Sequence, residues 1–152
     1  MEGKVKFVIV GAGHIGKRHA TMIMENQESE LVALIDIQPQ ENLGLEKFEV
    51  PFFNSLEDFL ASNIEFASIC TPNGLHADQS IQVLAQNKHV VCEKPMGLSK
   101  DNCEKVIFKS LQMSKHVFCV MQNRYSPPSE WIKSVVDQGV LGKVYMVQIN
   151  CY

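Results

Sequence analysis

The chain has 152 residues, 45% hydrophobic and 20% charged, with a formal net charge of -3. That is enough for one domain with a substantial core, and the balance is that of an ordinary soluble globular protein. A pI near 5.9 gives no electrostatic pull toward nucleic acid or anionic lipid, so neither is an expected partner.

In chain order, short β-rich runs alternate with helical patterns. Lys4 to Val10 (KVKFVIV) reads as a strand. A helix follows, with Ile15, His19, Met22 and Ile23 on one face,. Leu31 to Asp36 (LVALID) is the second strand, residues 37–50 are irregular, and Phe52-Phe53 marks a short third strand. Ser55 opens a helix as a cap, with the acid three residues on, Asp58, reaching back,. Phe66 to Cys70 is the fourth strand, and the next helix turns Ala77, Ile81, Leu84 and Ala85 to one side. His89 to Cys92 is the fifth strand. Ser99 and Asp101 open a helix with Cys103, Val106, Ile107 and Leu111 on one face. Val117 to Met121 is the sixth strand, and a helix runs from about Pro128 to Asp137 with Gly139 as its stop,.

Five of these strands are nearly all apolar, as expected of a parallel sheet covered by helices on both faces. The fold class is therefore α/β, a doubly wound, mostly parallel sheet of Rossmann type. The last segment, Lys143 to Tyr152, differs. Its apolar residues Tyr145, Val147, Ile149 and Cys151 alternate with positions that turn polar at Gln148 and Asn150. That suits a strand with one buried face. Residues 1–122 are assigned to the dinucleotide-binding domain. Residues 123–152 are assigned to a linking helix and the first strand of an absent substrate domain, which makes the chain an excised or truncated piece.

No apolar run is long enough to cross a bilayer, and the start Met1-Glu2-Gly3-Lys4 lacks a signal-peptide layout,. The expected location is cytoplasmic. None of Cys70, Cys92, Cys103, Cys119 and Cys151 is spaced Cys-x-x-Cys, and four fall in strand-like runs. They read as buried thiols in a reducing compartment, and no metal site is expected.

Gly11-Ala12-Gly13-His14-Ile15-Gly16 follows the first strand and opens a helix. The first glycine permits a tight turn, the second admits a pyrophosphate to the backbone, and the third lets helix and strand pack closely. Free N–H groups and the helix dipole then face the phosphates. His14 offers its backbone there. A plain strand–helix turn is the bland alternative. Asp36 stands twenty residues after Gly16. A carboxylate there accepts from ribose hydroxyls and repels a 2′-phosphate, and Ile37 supplies no cation for one. NAD is thus favoured over NADP as cofactor.

Three polar segments end the fourth, fifth and sixth strands: Thr71-Pro72-Asn73-Gly74-Leu75-His76, Glu93-Lys94-Pro95 and Gln122-Asn123-Arg124-Tyr125. Ligands of open α/β sheets bind at such ends. Together with the glycine loop, these segments resemble, in order, the N-terminal domain of the Gfo/Idh/MocA oxidoreductases, the group of glucose–fructose oxidoreductase and inositol dehydrogenase. The resemblance implies that Thr71, Pro72, Asn73 and His76 line the ribose and nicotinamide side. It places Glu93 and Lys94 beside the nicotinamide and Arg124 near the cofactor amide or the substrate, with Gln122 a further cofactor-binding candidate. Lys94 becomes the candidate catalytic residue, shared by cofactor and substrate. An ammonium group at the substrate oxygen stabilises a developing alkoxide.

The resemblance further implies a sugar, sugar-nucleotide or cyclitol substrate. It also implies a second domain with an Asp/His pair, and a homo-oligomer in the full-length protein. On the residues alone, His76 could cap backbone groups, Lys94 could be a solvated strand-end lysine, Pro95 a turn former, and Gln122 and Asn123 loop polars. A cis Lys94–Pro95 bond is a further expectation. The rival function is a non-catalytic NAD-binding or redox-sensing module, against which a lysine at the nicotinamide argues.

Overall fold

The computed structural model describes residues 3–150. The chain divides into two compact units between Val120 and Met121. The first unit contains the strands β1 (Val5–Val10), β2 (Ser29–Ile35), β3 (Phe52–Phe53), β4 (Phe66–Ile69), β5 (His89–Cys92) and β6 (Val117–Cys119). Its helices are α1 (His14–Glu25), α2 (Leu56–Leu60), α3 (His76–Ala85) and α4 (Lys100–Met113). The six strands form one sheet in the order β3-β2-β1-β4-β5-β6. Every pairing is parallel. The chain thus winds outward from β1 in one direction, then crosses back to β4 and winds the other way. The reversal leaves a crevice beyond the C-terminal ends of β1 and β4, where open sheets of this kind bind ligands.

Side-chain alternation sorts the core into two layers. Val8 and Val10 point into a cluster with Ala67, Ile69, Val83, Leu84, Val90 and Val106. Ile9 points the other way, toward Ala12, Ala20, Leu34 and Leu45. The irregular stretch after β2 contributes to this second layer, since Leu43, Leu45 and Phe48 are all buried.

The helix faces match those read in the sequence only in part: Ala77, Leu84 and Val106 are buried as read, and other positions differ. In α1 the buried residues are Gly16 and Ala20, whereas Ile15 and Met22 are exposed. In α3, His76, Ala77, Ser80, Val83 and Leu84 are buried and Ala85 is exposed. In α4 the inner residues are Val106 and Ser110, with Ile107 and Leu111 outward. Small side chains let these helices lie close on the sheet, and larger apolar groups are displaced to the flanks.

The start of α2 is corrected in one detail. Ser55 accepts from the Glu57 backbone N–H, and the carboxylate that returns to the Ser55 hydroxyl is that of Glu57, not Asp58. α4 is capped as expected, with the Ser99 hydroxyl accepting from Asn102 N–H at 3.2 Å. β6 is shorter than read and lies at the sheet edge, so Phe118 and Cys119 are exposed. Cys119 is therefore not the buried thiol expected; Cys92 is buried, and Cys70 and Cys103 are partly so.

A row of rings crosses the sheet near the strand starts: Phe7, Phe66, His89 and His116, with successive centroids 5.2, 4.7 and 5.4 Å apart. His89 Nδ1 accepts the backbone N–H of His116 at 3.1 Å, which requires that nitrogen to be unprotonated. Burial first, then Lys115 and His116, hold this imidazole below its ordinary range, with Glu65 opposing. A histidine whose folded pKa is depressed takes up its proton more readily when unfolded. Stability is therefore complete above about pH 6.5 and falls as the pH drops below it. Urea unfolding between pH 7.5 and 5 should show this decline, and His89→Phe, which keeps a ring in the row, should flatten it. An unchanged pH slope in the variant would remove His89 as the cause.

The second unit contains a short 3-10 turn at Gln122–Tyr125 and the helix α5 (Pro127–Asp137). Proline at the helix start suits α5,. Gly139 ends it with φ +68°, a left-handed conformation that glycine adopts without strain, and Val140 N–H closes back onto Val135 O,. Residues 143–150 form no strand, against the expectation from their alternation. A strand exists only as part of a hydrogen-bonded ladder, and no described residue pairs with this segment. Cys151 and Tyr152, the end of that expected strand, lie outside the described residues.

Candidate functional site at the C-terminal edge of the sheet

The glycine loop is built by two close approaches. Gly11 has φ +91°, and a Cβ there would lie 2.7 Å from the Thr71 backbone nitrogen. The turn after β1 is thereby pressed against the turn after β4. A Cβ on Gly16 would lie 1.9 Å from the Gly11 carbonyl oxygen, so only glycine lets α1 pack this near its own strand. Gly13 is different: its Cβ would meet nothing within 4 Å. The protein itself does not require a glycine there, and the space beside it is open.

α1 starts at that open position. Gly13 is its N-cap, no side chain caps it, and its first turn carries no acid. The first-turn N–H groups of His14, Ile15 and Gly16 and the positive end of the helix dipole thus have no side-chain counterpart. His14 and Ile15 are exposed at this point. A phosphate group fits such a seat in charge and in size.

Asp36 follows β2 beside this loop. Its Oδ2 accepts from Ala12 N–H at 2.8 Å, and its Oδ1 from Gln38 N–H at 2.9 Å. The carboxylate is therefore not merely a solvated strand-end acid; it braces the loop. Each oxygen can accept a second bond, so capacity remains for ribose hydroxyls. Ile37 next to it is 89% exposed.

The turn after β4 is held from two sides. The Thr71 hydroxyl donates to Gln79 Oε1 at 2.6 Å. His76, the first residue of α3, is 1% exposed and lies between two backbone carbonyls. Its Nε2 is 2.6 Å from Thr71 O and its Nδ1 2.7 Å from Pro95 O. The ring thus stands between the Thr71 turn and the turn after β5, where a neutral imidazole donates to one of the two carbonyls, and neither nitrogen faces the solvent. Pro72 and Asn73 are exposed between them.

The turn after β5 carries the expected cis Lys94–Pro95 bond. Glu93 is half-buried and Lys94 is exposed. Glu93 Oε2 accepts the Lys94 backbone N–H at 3.0 Å, and Glu93 Oε1 is 3.1 Å from His19 Nε2. The Lys94 ammonium has no hydrogen-bond or ionic partner among the described residues.

His19 is the residue that sequence reasoning placed only on an apolar helix face. The signal for it was a polar ring one turn after Gly16. Its contacts, Ser68 and Glu93, are 49 and 74 residues away. Nearby, burial pushes the Cys70 thiol up to about 12 and the Cys92 thiol up to about 11, so neither is a nucleophile at neutral pH.

The sheet therefore gathers Gly11, Gly13, His14, Ile15, Gly16, Asp36, Ile37, Thr71, Pro72, Asn73, His76, Glu93 and Lys94 at one edge. Gln122 and Arg124 belong to the second unit. There Arg124 lines a groove with Tyr125, Glu130, Lys133 and Asp137. No helix among the described residues is long and apolar enough to cross a membrane.

A six-stranded parallel sheet in this order, with a glycine-rich turn opening α1, defines a dinucleotide-binding domain of Rossmann type. Residues 5–120 match the family described as an oxidoreductase family with an NAD-binding Rossmann fold. The chain belongs to this Gfo/Idh/MocA family. It is 30% identical over 149 residues to an inositol 2-dehydrogenase of Rhizobium meliloti, an alignment covering 96% of this chain and 44% of that protein. Among solved structures it is similar to the WlbA dehydrogenase of Bordetella pertussis in complex with NADH and UDP-GlcNAcA. The TM-score is 0.87 and the identity 31%, over 93% of this chain and 44% of that one. It is also similar to the scyllo-inositol dehydrogenase of Lactobacillus casei with bound NAD(H) and scyllo-inositol. There the TM-score is 0.84 and the identity 30%, over 91% of this chain and 42% of that one. The chain spans less than half the length of these relatives.

Proposed function

We propose that this chain is the cofactor-holding half of an NAD-dependent oxidoreductase acting on a CH–OH group of a sugar, sugar nucleotide or cyclitol. The observation that carries the reading is the uncapped start of α1, open at Gly13. It shares one sheet edge with Asp36 and with Lys94, exposed and without a side-chain partner among the described residues. Bound NAD+ supplies the hydride acceptor. The chain's own groups do the rest. The N–H groups of residues 13–16 hold the pyrophosphate, and Asp36 holds the adenosine ribose, with Ile37 as apolar surface beside it. Thr71, Pro72, Asn73 and Glu93 form the wall on the nicotinamide side, with His76 buried behind them between the two turns.

Lys94 faces the substrate oxygen, stabilises the developing alkoxide and relays its proton. Gln122 and Arg124 serve the amide or the substrate. The substrate pocket lies on a further domain, and the full-length protein is a cytoplasmic homo-oligomer. The relatives crystallised with UDP-GlcNAcA and with scyllo-inositol support this substrate class. A lysine with no side-chain partner among the described residues argues against a pure sensor, which needs no proton-handling group.

The test is a panel of polyols and sugar nucleotides assayed with NAD+ on the full-length protein; reduction of NAD+ by one of them is expected, and silence across the panel favours the sensor. NADP+ is expected to bind at least about tenfold more weakly than NAD+, because its 2′-phosphate meets the Asp36 carboxylate. Equal affinities in a titration would contradict the assignment of Asp36.

A further inference from the structure

The structure assigns a role to a group that neither the glycine loop nor the Lys94 segment contains: we propose that His19 is a positioning residue, coupling the phosphate-binding helix to the peptide of Lys94 through Glu93. The proposal rests on the dinucleotide reading above.

The geometry is a chain of hydrogen bonds across three elements. His19 stands in α1, one turn beyond Gly16. Its Nδ1 is 2.8 Å from the Ser68 hydroxyl in β4, and its Nε2 is 3.1 Å from Glu93 Oε1 after β5. The His19 and Glu93 side chains are only 18% and 13% exposed. An ionised carboxylate only accepts, so Nε2 carries the proton toward Glu93. Ser68 then supplies its hydroxyl proton to Nδ1, which fixes the ring's tautomer and rotation. Glu93 is held at both oxygens, since Oε2 accepts the Lys94 N–H.

The consequence concerns position, not chemistry. Among the described residues, the Lys94 side chain has no partner that could aim it. Its placement depends on its backbone, and that backbone is tied to Glu93. Glu93 is in turn tied to the helix whose start seats the phosphates. His76 makes a second tie to the same turn, at Pro95 O. Removing His19 leaves the Glu93 carboxylate half-held and frees the Lys94 peptide, while the glycine loop keeps its own contacts.

ADP-ribose separates the two ends of the cofactor, because it carries the pyrophosphate and adenosine ribose but no nicotinamide. Calorimetric titrations of NADH and of ADP-ribose into the full chain read each end. For His19→Ala, NADH affinity is expected to fall about tenfold, because Glu93 in the nicotinamide-side wall loses its hold, with ADP-ribose affinity within about twofold of the wild type. His19→Gln, whose amide nitrogen reaches toward Glu93, should recover most of the loss. Glu93→Gln should reproduce the His19→Ala pattern, and the double variant should be no worse than the worse single one.

A parallel loss of NADH and ADP-ribose, or additive losses in the double variant, would overturn the proposal and leave His19 as a packing residue of α1. Should His19→Ala fail to fold, His19→Gln and Glu93→Gln carry the same comparison. A wild type that binds ADP-ribose and NADH equally well keeps the dinucleotide reading and overturns this proposal. A wild type that binds neither overturns the dinucleotide reading itself, and the proposal with it.

Discussion

Gly16→Ala is expected to cost on the order of 3 kcal/mol of stability and to abolish measurable NAD binding. The added methyl would sit 1.9 Å from the Gly11 carbonyl oxygen, 2.9 Å from its carbon and 3.1 Å from Ile9 Cγ2. Two of those three are backbone atoms, so no side-chain rotation relieves the clash. α1 must move away from β1, and the Gly11 turn, itself pressed on Thr71, must move with it. Gly13→Ala is the matched control. Its methyl meets nothing in the protein and its φ of -68° suits any residue. The fold should lose less than about 1 kcal/mol, from the weaker cap. Cofactor affinity should nonetheless fall on the order of tenfold or more, because the methyl enters the space proposed for the pyrophosphate. Urea unfolding and a NAD+ titration on both variants separate the effects. Gly13→Ala binding as the wild type does would place the phosphates elsewhere.

Lys94→Ala is expected to lower kcat about a thousandfold in the full-length protein, within the range for removal of a proton-transferring or charge-stabilising group. NAD+ affinity should stay nearly unchanged, since the side chain is exposed and binds no other described residue. Stability should likewise be unaffected, because neither packing nor a hydrogen bond is lost. The split matters. A loss confined to NAD+ affinity, with turnover intact, would make Lys94 a cofactor contact and strengthen the sensor reading.

Much of this could be read from residue order, for a physical reason. β5 was legible to the residue because four apolar-rich positions stand between turn signals. The glycine loop was legible because its context, strand before and helix after, is itself local. The helix faces were less so. Counting large apolar groups picks out Leu84 and Val106, which are buried, but also Ile15, Met22, Ile107 and Leu111, which are exposed, and it passes over the buried Gly16, Ala20, Ser80 and Ser110. Close helix–sheet approach selects small volume, and hydropathy does not register volume. The alternation in residues 143–150 suggested a strand, yet alternation states only which face would be buried, not that a neighbouring strand exists. Least legible was the His19–Ser68–Glu93 link. It depends on β4 lying between β1 and β5, a fact of topology that no local pattern carries.

The central claim is that one sheet edge holds a dinucleotide from the glycine loop to Lys94. Amide chemical-shift mapping of the chain during addition of NADH tests it most directly. Perturbations are expected at residues 12–16, at Asp36 and Ile37, at residues 71–73, and at Glu93 and Lys94, saturating together. Shifts confined to other surfaces, or none at saturating NADH, would contradict it.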